Sequence, residues 1–250
     1  MLNEAAILTA REARKEISNL DLEEAATKTK LGPQRKRMQS EEERKMTAYH
    51  EGGHAIVAHF LPNVDPVHRI SIVARANTGG HTEVHPQFDR NLETKTRLLD
   101  RIAMALGGRA AEELVFGELT SGASSDLQVA SNIAHAMVEE LGMSDLGPTV
   151  MQARSQFGIW PTGEGSQMSE DTAAKVDIEV QKIIDTGYKK AKETLTKHRK
   201  DLDKVADALL EQETLDRDDF EKIVGKPRDI DVVKVKLATK VKKTSKSAQG

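Results

Sequence analysis

The stretch that most constrains this chain is Tyr49-His50-Glu51-Gly52-Gly53-His54-Ala55-Ile56-Val57, which contains His-Glu-x-x-His. On a helix, residues four apart differ by only about 40° around the axis. His50 and His54 therefore share a face, where two imidazoles can grip one zinc ion with Zn–N distances of about 2.0–2.1 Å. Glu51, next to the first imidazole, is placed to take a proton from an activated water and pass it to a leaving amine. Ser40 with Glu43 has the spacing of a capping box and opens the helix that carries the motif. Pro62 ends it. Gly52 and Gly53 each cost about 1 kcal/mol relative to alanine inside a helix, so a close approach by backbone, metal or substrate is expected there. His59 follows His54 by five positions and points about 140° away on a continuing helix. It reads as a packing or surface residue, not a third ligand.

Composition narrows the fold and the partners. With 31% charged and only 3% aromatic residues, the chain reads as a mainly α protein packed by Ala, Leu, Ile and Val. A net charge of −3 makes no electrostatic case for a specific nucleic-acid partner. The absence of cysteine removes disulfides, thiolate metal sites and cysteine nucleophiles together. No run of about 18 apolar residues occurs, so no membrane span is expected, and the N-terminus lacks a secretion signal.

Residues 1–31 read as two helices, the second capped by Asp21 with Glu24 three positions on. Arg35-Lys36-Arg37 reads as a solvated linker. Residues 67–85 switch to a short β segment with a glycine turn at Gly79-Gly80. His81 and His85 read as exposed strand or loop residues, and an extended substrate can pair with an edge strand here. Leu98, Leu99, Ile102, Ala103 and Leu106 mark a helix, interrupted at Gly107-Gly108 before Glu112 and Glu113. Either glutamate can be a surface residue, a third ligand or a partner orienting a ligand. Ser125 with Gln128 has capping-box spacing, which puts Asp126 in a first helical turn. Asp126 then shares a face with Ala130, Ile133, Met137 and Leu141. That face is apolar, so its carboxylate is expected to point inward towards a cation. Residues 151–168 read as a loop. Three C-terminal helices follow: one from Ser169 to about Lys197, one carrying Leu202 to Leu210, and a short one from Thr214 to Val224. Residues 227–250 are lysine-rich and read as a disordered basic tail.

Thr47-Ala48-Tyr49-His50-Glu51-Gly52-Gly53-His54-Ala55, Asp65-Pro66-Val67-His68, Gly107-Gly108-Arg109-Ala110-Ala111-Glu112-Glu113 and Thr120-Ser121-Gly122-Ala123-Ser124-Ser125-Asp126 occur in that order. Together they resemble the peptidase domain of the FtsH family, ATP-dependent zinc metalloproteases usually anchored in a membrane. The resemblance implies a zincin-like helical metallopeptidase domain with a small β segment and a C-terminal helical bundle. It further implies one zinc ion on His50, His54 and Asp126, Glu51 as catalytic base, and Glu112 or Glu113 supporting a ligand. By the same resemblance, residues 1–32 are the last helices of the ATPase lid and a linker, 33–226 the peptidase domain, and 227–250 the tail. Gly52 departs from the family's usual alanine. No Gly-x-x-x-x-Gly-Lys-[Ser/Thr] occurs, so ATP is expected to act only through an AAA ATPase module outside this chain. The implied activity is endopeptidase cleavage of unfolded or membrane-extracted polypeptides within a homohexamer, the protease facing the cytoplasm or an organelle matrix or stroma. The alternative is a non-catalytic hexameric scaffold.

Overall fold

The computed structural model describes residues 1–34, 40–75, 79–86, 92–151 and 168–226. The linker at 35–37, most of the loop at 151–168 and the tail at 227–250 lie outside the described residues. Among the described residues, no helix is long and apolar enough to cross a membrane.

The central element is α3 (Glu41–Phe60), where Ser40 Oγ accepts the Glu43 N–H at 3.1 Å. Leu61, forced extended by the proline that follows it, ends the helix. From Ala48 to His59 every side chain is buried except His50, which is only slightly open. Around α3 pack α5 (Gly107–Phe116), α8 (Arg199–Gln212) and a small sheet, forming one apolar core with Ile56, Val57, Ile70, Leu202, Val205 and Leu209. A second core joins α4 (Lys95–Ala105), α6 (Ser124–His135) and α7 (Glu170–Lys197) through Ile102, Leu106, Ala130, Met137 and Val176. Tyr188 of α7 packs against both. Leu98, Ile102, Ala103, Val180, Ile183, Ala191 and Leu195 of the apolar stripes are buried, as their helical spacing implies.

The sheet has the order β2-β1-β3 and is antiparallel throughout, with β1 Val67–Ser71, β2 His81–Val84 and β3 Thr214–Asp216. The third strand corrects the expectation of a continuous helix from Thr214 to Val224. Leu215 is fully buried opposite Ile70, and the helix α9 starts only at Arg217. Three residues are too few to show alternation, which is why burial and pairing decide this segment.

At the N-terminus, α1 (Leu2–Arg11) and α2 (Asn19–Leu31) form a hairpin. The cap of α2 is Ser18, not Asp21. Asp21 is the third helical residue, and its carboxylate accepts the Ser18 N–H at 2.8 Å and an Arg14 N–H at 2.7 Å. Neither apolar core contains a residue of this hairpin. Ion pairs tie it to β1 and to the segment that follows: Glu23 with Arg69, and Glu24 with the buried Arg75 at 2.6 Å.

The two central glycines differ. A Cβ on Gly53 would stand 2.5 Å from the Gly107 carbonyl and 2.7 Å from Ala111 Cβ, so α3 and α5 cross with their backbones in contact. A Cβ on Gly52 meets Leu202 Cδ1 at 3.2 Å, the tip of a rotatable side chain, and Val205 Cγ1 at 3.5 Å, an ordinary contact. Gly53→Ala is expected to destabilise the fold by about 1–3 kcal/mol through overpacking. Gly52→Ala is expected to stabilise it by up to about 1 kcal/mol through helix propensity. Urea unfolding of the two variants against the parent chain checks both signs.

Candidate metal centre

Helix α3 brings His50 and His54 onto one flank, with their Nε2 atoms 3.1 Å apart. From the second core, α6 delivers Asp126, whose Oδ2 lies 3.1 Å from His50 Nε2 and 3.4 Å from His54 Nε2. The protonation pattern follows from the far sides of the rings. His54 Nδ1 is 2.8 Å from the Met104 carbonyl, which can only accept, so Nδ1 carries the hydrogen and Nε2 keeps a lone pair. His50 Nδ1 faces the Glu112 carboxylate at 2.7 Å in the same way. Three lone-pair donors thus converge on one point, an arrangement that calls for a cation between them. A tetrahedral shell with bonds of about 2.0–2.1 Å has edges of roughly 3.4 Å, which these separations match.

Electrostatics lead to the same requirement. Burial works against charge on His50, but hydrogen bonds to Asp126 and Glu112 outweigh it and push its pKa up to about 10. Burial likewise opposes charge on Asp126, yet the two imidazoles hold its carboxyl well below the usual carboxylate range. The donor set therefore favours one positive charge in its midst, either a proton on His50 or a metal ion that takes the proton's place and uses the Nε2 lone pair, and its nitrogen and carboxylate atoms suit zinc.

The surroundings make this convergence possible. A Cβ on Gly108 would stand 2.5 Å from His50 Cε1 and 2.6 Å from His54 Nε2, so only glycine leaves room for the rings. Of the two adjacent glutamates, Glu112 is buried and faces His50, and its carboxylate also accepts the Thr120 N–H at 2.9 Å and hydroxyl at 3.1 Å. Glu113 points elsewhere, accepting from Tyr188 and, at 2.9 Å, from Lys192, and so ties α5 to α7. Asp126 arrives through a short 3-10 turn, Ser121–Ala123, that runs into α6. The cap is Ala123, without a side-chain bond, and no Ser125–Gln128 box forms; Asp126 is nonetheless the third residue of the helix. Ala130 and Met137 on its face are buried, but Leu141 is half-exposed. The π-helical turn Ala136–Glu140 shifts the phase before Leu141 is reached.

Glu51 is 6% exposed and lies on the sheet side of the site. The Thr82 hydroxyl sits 2.8 Å from Glu51 Oε2 and 3.1 Å from the Glu51 carbonyl. A Cβ on Gly80 would lie 2.8 Å from Glu51 Cγ, so the strand closes directly over the carboxylate. Burial raises its pKa, with both imidazoles and Thr82 pulling the other way. Thr82, Gly80 and Gly108 escape a linear reading because nothing in their own neighbourhood signals a contact with α3.

An open cleft of about 1070 Å³ holds His50, Glu51, His54 and Asp126, with Gly79 to Thr82 along one wall. His81 is set into that wall, not exposed as expected: both ring nitrogens are buried and meet no hydrogen-bond partner among the described residues. His85 is half-exposed, as expected. His59 lies apart from the site, its ring packed edge-on against Phe60 and Phe220.

The model of Peptidase family M41 matches residues 37–223. Relatives include the ATP-dependent zinc metalloprotease FtsH 1 of Conexibacter woesei, 43% identical over 90% of this chain and 35% of its own length. The FtsH of Veillonella parvula is 46% identical over 86% of this chain and 34% of its own. That of Thermotoga maritima is 44% identical over 90% of this chain and 38% of its own. The chain thus spans about a third of the length of the relatives it matches. With a family match running through every element that builds the site, the chain belongs to peptidase family M41.

Proposed function

We propose that this chain is a zinc-dependent endopeptidase, with one zinc ion held by His50, His54 and Asp126 and with Glu51 as catalytic base. The observation that carries this reading is the convergence of three lone-pair donors, 3.1–3.4 Å apart, beside a buried carboxylate. Zinc at this position supplies Lewis acidity, which lowers the pKa of water and polarises a carbonyl. Glu51 takes a proton from water as the water oxygen adds to the peptide carbonyl, and passes it to the nitrogen as the C–N bond breaks. Thr82 fixes Glu51 Oε2 through this transfer. Glu112 holds His50 in the tautomer that presents Nε2, and the Met104 carbonyl does so for His54.

Strand β2 has β1 on one side only among the described residues, and its residues line the cleft. An extended peptide adding to that edge gains backbone hydrogen bonds whatever its sequence, which suits unfolded polypeptide as substrate. The relatives are named ATP-dependent. We infer that this chain is the cutting part of such a protease, fed unfolded or membrane-extracted chains by an AAA ATPase module in a membrane-anchored homohexamer. On that reading the α1–α2 hairpin, tied on by ion pairs, is the end of the ATPase lid. A non-catalytic scaffold would have no use for the donor set or for the buried Glu51 beside it.

Glu51→Gln is expected to abolish cleavage of denatured casein while one tightly held zinc per chain remains; retained cleavage would sink the assignment. Asp126→Ala should remove a third of the donor set, and metal analysis after exhaustive dialysis against zinc-free buffer, which retains only tightly held metal, should find far less than one zinc per chain. Glu112→Ala should weaken zinc binding by about 10–100-fold, read by competition with a chromophoric chelator.

A further inference from the structure

A second group of metal-ligating side chains lies on the sheet, outside the cleft machinery. His68 of β1, Glu83 of β2 and His85 just beyond it place one donor atom each within 4.8 Å of one another. Glu83 and His85 are two apart on an extended segment and so share a face. The pairing of the segment continues past Val84, since the His85 N–H donates to the Pro66 carbonyl at 3.3 Å. The contribution of β1 depends on an irregularity. Val67 pairs with Val84 and Arg69 with Glu83, which leaves His68 as the extra residue of a bulge. Bulges re-aim side chains, and here the bulge lays the His68 ring on that of His85, centroids 4.2 Å apart and 18° from parallel. Glu83 Oε2 is 3.8 Å from His85 Nε2. No salt bridge to lysine or arginine accounts for the Glu83 carboxylate among the described residues, and His85 is 48% exposed.

We propose that His68, Glu83 and His85 form a second metal site, taking a divalent transition cation such as zinc and fastening the bulge of β1 to the end of β2. Two imidazoles and a carboxylate select zinc-like ions over magnesium or calcium, which prefer all-oxygen shells. Three protein donors leave a fourth position to water. The donors stand wider than the roughly 3.4 Å edge of a tetrahedral zinc shell, so binding turns the half-exposed His85 ring and draws Glu83 in. The site is more open than the one at His50 and His54, and it fills after that one.

Equilibrium dialysis of the whole chain against micromolar free zinc, followed by metal analysis, tests this. The parent chain should hold two equivalents, and His85→Ala and His68→Ala one each. His85→Phe keeps an aromatic ring for the stack without a ligand nitrogen and should also hold one. His135→Ala, which removes the imidazole beside Glu139, should still hold two. The Asp126→Ala variant separates the two sites: it should lose the tight equivalent and keep the weaker one. A parent chain holding a single equivalent overturns the proposal, as does a second equivalent that survives His85→Phe or disappears with His135→Ala.

Discussion

The backbone contact between α3 and α5 governs the rest of the structure. Gly53 and Gly107 touch through their main chains, and any side chain at either position would hold the helices apart. That spacing sets Gly108 directly against the imidazoles of His50 and His54. One turn further along α5, it delivers Glu112 to His50 Nδ1 at hydrogen-bonding distance. A wider crossing would lose the ring positions and the tautomer control together. The helix-weakening cost of the glycines, about 1 kcal/mol each, is offset by a geometry that no other residue allows.

The donor set draws on both cores. His50 and His54 come from the core around α3, α5 and α8, while Asp126 comes from the one around α4, α6 and α7. Met104 of α4 lends its carbonyl to His54, and Thr120, just ahead of α6, lends its N–H and hydroxyl to Glu112. Each core thus supplies donors to the centre, and the side that supplies Asp126 also supplies the hydrogen bonds that hold His54 and the Glu112 partner of His50. A cation at the centre would act as a joint between them, so its binding energy would also be folding energy for the domain.

Much of this was legible along the chain. The i, i+4 histidines on a helix with a capped start needed no tertiary information. Asp126 could be aimed inward by counting an apolar face, and that count held through Met137 before the π turn carried Leu141 out of phase. What stayed hidden has a common cause. Thr82, Gly108 and the choice between Glu112 and Glu113 are decided by what lies across a gap between elements, and periodicity reports only which way a residue faces. Strand β3 was hidden for a different reason, being three residues long and flanked by helices. The cap of α2 was misplaced because both Ser18 and Asp21 qualify by type, and only the structure shows Arg14 drawing Asp21 into the box.

The Thr82 hydroxyl touches both the side chain and the main chain of Glu51, and it belongs to the edge strand of the sheet. A strand that slips by one residue presents its other face. Slippage of β2 along β1 would bring His81 or Glu83 to that point, a ring or a second carboxylate in place of a small hydroxyl. With Glu51 as the proposed base, its alignment doubles as a proofreading of strand register: a chain that pairs its sheet wrongly would also misplace the group proposed to do the chemistry.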